Sequence, residues 1–175
     1  MSTIYLDDED EGLARETSHP RFVEHAPDSF FDESDEFSPF GNDDGNDALR
    51  SMEEWFEDRE PGTDPIEFLE ELLDEWDLDV PEGAFDLDHA GLVELVTRDE
   101  DLERPLVGIA NASVAAALGQ VKIAGEVSPA LLDEGKRALR VLRILAADTS
   151  RYPDWPHREG ALRGYGEISA ALEAL

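Results

Sequence analysis

The sequence predicts an all-α protein: a helical bundle or orthogonal helix array around a buried central helix rich in small residues, with an irregular acidic segment at its N-terminus. Three observations predict it. No residue from Leu106 to Val121 is ionisable, and within Pro105–Gly119 glycine, alanine and serine alternate with Leu106, Val107, Ile109, Val114 and Leu118. A helix apolar on every side has to be buried, and small residues let neighbouring helices come close. Apolar residues recur at helical spacing in the flanking segments, and helix start signals precede several of them.

In chain order, residues 1–38 read as irregular, because Asp7–Glu11 is a run of acids and His19-Pro20 and Ala26-Pro27 break any period. The tract Asp28–Phe40 interleaves acids with Phe30, Phe31, Phe37 and Phe40. Such a tract either presents rings to a partner or folds back over the core, since four phenylalanines are costly to leave in water. Phe30, Phe31 and Phe37 are the candidate partner-binding residues. The remaining residues, 39–175, read as a single helical domain.

The segment Phe40–Asp47 is a turn whose Asn42, Asp43, Asp44 and Asp47 can accept bonds from the first turn of a helix over about 47–57, with Leu49, Met52, Trp55 and Phe56 on its apolar side. Asp64, Pro65 and Glu67 open a second helix with Ile66, Leu69, Leu72, Leu73 and Trp76 facing the core. Pro81 and Gly83 mark a loop, and 88–97 is a short helix. Beyond the central helix, 121–127 reads as a connector or short strand. Ser128-Pro129 opens the next helix, which carries Leu131, Leu132, Ala138, Leu139, Leu142 and Leu145 on one side and the basic stripe Lys136, Arg140 and Arg143 on the other. Pairing of that stripe with the acidic half is the expectation. The run 152–156 breaks the chain before a final helix over about 157–175.

Charge narrows the function classes. The formal net charge is −30, and 36 of the 44 acids but only 6 of the 14 bases lie in residues 1–104, so residues 105–175 are neutral. A field of this sign opposes nucleic acid and anionic membrane and attracts basic surfaces. The expected partner is therefore a basic protein, with no direct nucleic-acid contact and no membrane. The absence of cysteine removes disulfides, thiolate metal sites and cysteine nucleophiles. The opening residues lack the basic and apolar regions of a signal peptide, which suggests the cytoplasm.

Catalytic and cofactor motifs are missing. There is no phosphate-cradling or dinucleotide-binding glycine pattern and no G-x-S-x-G nucleophile turn, and the four histidines show no H-E-x-x-H pair. Residues 86–97 begin like a calcium loop, but Ala90 and Thr97 stand where oxygen ligands are needed. No catalytic residue, metal site or cofactor is assigned.

The turn Phe40-Gly41-Asn42-Asp43-Asp44-Gly45-Asn46-Asp47 resembles F-x-N-D-x-A-x-D, the opening signature of an uncharacterised bacterial family, domain of unknown function four-two-five-nine. Phe40, Asn42, Asp43 and Asp47 match, Gly45 stands at the family's alanine, and 35–39 occupy the place of its Trp-Gly start. Ala110–Leu118 is similar to the family's A-A-A-E-V-V-A-A-L helix, with Ser113 at the glutamate, and Leu131–Leu145 and the Trp155 region are similar too. The resemblance implies a helical fold and supplies no activity. The function expected from the residues is a non-enzymatic acidic protein that binds a basic protein surface, as an immunity-type or regulatory inhibitor does. A carboxylate- or metal-dependent enzyme using the Phe40–Asp47 turn and a mimic of DNA charge are the alternatives.

Overall fold

Residues 3–175 are described by a computed structural model of the chain. Among them are seven α-helices and no β-strand: α1 Pro20–His25, α2 Asp43–Asp58, α3 Pro65–Trp76, α4 His89–Arg98, α5 Glu103–Ala124, α6 Pro129–Ala147 and α7 Arg158–Glu173. The all-α class read from the sequence is the class observed.

Most helices start where a side chain can replace the missing partner of a first-turn N–H group. Asn42 accepts from the Gly45 N–H at 2.8 Å, so α2 begins four residues earlier than its apolar spacing suggests. Asp64 accepts from Ile66, Asp88 from Gly91 and Ser128 from Leu131, and Pro65 and Pro129 occupy first helical positions. The core face of α3 is rotated from the expected stripe: Phe68, Leu69 and Leu72 are buried, while Ile66, Leu73 and Trp76 lie half-exposed at its edges.

α5 is the axis of the molecule. Sixteen of its 22 residues are buried, and α6, α2, α1 and α3 all pack against it, with α7 and α4 packing onto α6. It is long and apolar enough to cross a membrane, yet 94% of that window is buried inside the protein, so protein takes the place of lipid around it. Close approach needs the small residues. A Cβ on Gly135 of α6 would lie 2.7 Å from the Ala117 Cβ on α5, and one on Gly119 would lie 3.2 Å from the Met52 sulfur on α2.

Of the expected connector at 121–127, residues 121–124 are instead the last turn of α5, which closes on left-handed Gly125 (φ 74°), and only 125–127 connect it to α6. Tertiary partners extend it. The last carbonyls of the helix are taken by the N-terminal segment: Tyr5 N–H donates to the Ile123 carbonyl at 2.9 Å and His19 N–H to that of Lys122 at 2.8 Å. Arg21 then ties the Gly125 carbonyl to that of Leu175.

Lys122 itself is fully buried. Its ammonium meets Asp7 at 2.6 Å and also bonds Glu53 on α2. The Asp7 N–H donates to the same Glu53 carboxylate, and the Thr17 hydroxyl lies 3.0 Å from Asp7. Burial pushes the Glu53 carboxyl above its ordinary 4.5, against the pull of Lys122. The folded chain therefore holds a proton at pH values where the unfolded chain has released it, and Glu53 ionisation subtracts stability as pH rises past 4.5.

The basic stripe pairs differently from the expectation. Arg140 donates to the backbone carbonyls of Leu87 and Phe85, and Arg137, outside the expected stripe, pairs with Asp86 and Glu134. Lys136 and Arg143 have no acidic partner among the described residues. The carbonyls of Phe85, within the 3-10 turn Ala84–Asp86, and of Leu87, just after it, lack helical partners, so a guanidinium is drawn to them.

Two outcomes test this architecture. Replacing Gly135 with leucine should force α5 and α6 apart and lower unfolding free energy by about 1–3 kcal/mol or more in urea titrations. Lys122→Ala should cost about 3–5 kcal/mol by the same measurement, because it strands two partly buried carboxylates.

Candidate functional site

α5 is left uncovered along one stripe, Glu103, Val107 and Asn111, spaced four residues apart near its start. Across from it stand the end of α6, the loop 148–157, Tyr165 of α7 and the segment holding Glu36, Phe37 and Asn42. Together they enclose a cleft of about 480 Å³.

The loop side is held rigidly. Arg158 donates to the carbonyls of Ala146, Asp148, Tyr152 and Pro153, fastening the loop to the end of α6. Asp148 accepts from Ser150 and Arg151; burial alone would raise its carboxyl, but these bonds hold it below its ordinary value. Arg151 also forks onto Glu103 at 2.8 and 3.2 Å, which locks the loop to the first turn of α5. Bidentate pairs of this kind fix geometry as well as charge.

The opposite wall is aromatic. Phe37 stands edge-on to Trp155 at 6.0 Å and to Tyr165 at 6.1 Å between centroids. It reaches that position because Gly164 leaves room on α7: a Cβ there would lie 2.9 Å from the Phe37 Cβ and carbonyl oxygen. Tyr165 is nearly buried, and burial, with the Glu36 charge adding to it, pushes its phenol up to about 12. The Tyr165 hydroxyl and the Asn111 amide have no hydrogen-bond partner among the described residues, and neither is sealed away from the cleft.

The residues singled out by sequence separate here. Phe30 is 1% exposed and lies in the core with Phe40 and with Phe22, a ring not singled out earlier; the Phe30 and Phe40 rings lie 6.2 and 6.0 Å from that of Phe22. Phe31 is half-buried beneath the Arg15 guanidinium. Phe37 alone of the three candidate rings lines the cleft. Of the turn residues, Asn42 caps α2 and touches the cleft edge, Asp44 forms a forked pair with Arg104 at 2.9 Å, and Asp43 and Asp47 are exposed. Among the described residues, no three His, Asp or Glu side chains are grouped to hold a metal. A Cβ at Gly45 would lie 2.1 Å from the Pro39 carbonyl, so this turn has no room for the alanine of the resembling signature. Asp86 and Asp88, the start of the failed calcium pattern, are engaged by Arg137 and by the α4 cap. Asn111 and Tyr165 escaped sequence reading, although an amide in a 16-residue uncharged run was a visible signal.

The fold and cleft can be set beside known proteins. The chain is 33% identical over 147 residues to "Uncharacterized protein YfeS" of Escherichia coli (strain K12), a match covering 79% of this chain and 56% of that protein. The chain thus spans little more than half of that relative's length. No family model and no solved structure matches the chain.

Tyrosine titration tests the cleft's environment. Tyr165 should release its proton near pH 12 in the phenolate absorbance, and Tyr165→Phe should remove that late step. Because the unfolded chain releases this proton near 10, stability should fall as pH rises from 10 through about 12.

Proposed function

We propose that this chain is a non-enzymatic acidic binding protein that docks a basic protein surface, with one cationic side chain of the partner entering the cleft beside α5. The observation that carries the reading is the pairing of an aromatic wall, Phe37, Trp155 and Tyr165, with Glu36 at the rim and the free amide of Asn111 in one open cleft. A guanidinium or ammonium is attracted to ring faces and to carboxylates alike. The −30 charge would steer the encounter, and the rings would supply affinity. Phe37 takes the anchoring role, since Phe30 belongs to the core.

The non-enzymatic part of the reading rests on the state of the polar groups. Glu103 and Asp148 are tied to Arg151, and the phenol held at about 12 exchanges no proton near neutrality. Kinship with the bacterial four-two-five-nine family belongs to the same reading and rests on the Phe40–Asp47 turn and the separated helical blocks that resemble it.

A short basic peptide with a central arginine, titrated at physiological ionic strength, tests the proposal. Trp155→Ala, which leaves net charge unchanged, should weaken binding about tenfold or more, and citrulline in place of the arginine should do the same. Equal affinity for both variants, vanishing with added salt, would show unspecific charge attraction and sink the reading. Far-UV circular dichroism of the variant establishes that its fold is intact.

A further inference from the structure

A second concavity, of about 440 Å³, lies between α4, α6 and α7 on another part of the surface. Its floor and walls are apolar: Leu139 and Leu172 at the bottom, Ile144 at the side and Leu162 at the lip, the last among the few large apolar side chains that stand exposed. Lys136 and Arg143, both exposed, line it from α6, and His89 lines it from the start of α4. Seven residues along one helix separate the two cations by about 10 Å. Arg140, between them, is turned onto backbone carbonyls, which leaves Lys136 and Arg143 free to meet a ligand. Glu173 is the one acid in the lining.

From this arrangement we infer a binding site for a singly charged anionic amphiphile, an aliphatic carboxylate whose headgroup meets Lys136 and Arg143 and whose chain covers the leucine floor. The net charge decides the class of ligand. A polyanion, an acidic protein or an anionic membrane would meet the whole −30 field over a large area. A monoanion is small beside the Debye length of about 8 Å at physiological salt, so it feels chiefly the nearest cations. Burial of an alkyl chain then adds the larger share of affinity, in proportion to the apolar area removed from water. The volume lies within the range of about 300–1,000 Å³ common for small-molecule sites.

The probe is dodecanoate, titrated calorimetrically into the full chain below its micelle concentration at physiological ionic strength. Saturable binding at one site per chain is expected, with dodecanol at least about tenfold weaker. Lys136→Gln combined with Arg143→Gln should weaken dodecanoate about tenfold or more, as expected when charge-assisted contacts are lost. Both side chains are exposed, and circular dichroism establishes that the double variant is folded. Absence of saturable binding, equal affinity for dodecanol, or an unchanged affinity in the double variant overturns the proposal. So does a loss of dodecanoate binding in Trp155→Ala, which would move the ligand to the other cleft.

Discussion

A 22-residue helix that is apolar on nearly every side needs a complete coat of protein, and the architecture follows from supplying it. Two neighbours, α2 and α6, come close enough only because Gly119 and Gly135 have no side chain in the way. The remaining helices and the N-terminal segment cover what is left. Where cover is missing, along Glu103, Val107 and Asn111, the candidate cleft opens.

The same constraint explains the buried lysine. α5 brings Lys122 inside with its last turn, and an isolated ammonium there would carry a penalty of several kcal/mol. Asp7 and Glu53 offset it, which draws the N-terminal segment onto α5, where backbone bonds from Tyr5 and His19 complete the contact. One charge on the central helix thus recruits both an acid of α2 and a segment that sequence reads as irregular. The raised Glu53 carboxyl is the residual cost of burying that acid, which the bond to Lys122 only partly offsets.

Cations are scarce in this chain, and most of the engaged ones hold structure together. Arg151 and Arg158 shape the cleft loop, Arg104 anchors Asp44 of α2, and Arg21, Arg140 and Arg158 satisfy carbonyls that no helix bonds. Acids, by contrast, stay largely on the surface, so the negative field faces outward. The two concavities differ accordingly: one joins aromatic rings to carboxylates and amides, the other joins leucines to unpaired cations.

What the sequence determined by itself was local. The uncharged run required a buried helix, Asp64-Pro65 and Ser128-Pro129 placed helix starts, and the Asn42 turn capped α2, because each depends on residues within a few positions of one another. Tertiary structure decided the rest. Lys122 and Glu53 are 69 residues apart in the chain, Arg104 and Asp44 are 60, and Arg151 and Glu103 are 48, distances at which no period or spacing carries information. The same holds for the phenylalanines: nothing local distinguishes Phe30 from Phe37, and only the packing of Phe22 around one and of Gly164 beneath the other makes the first core and the second cleft wall.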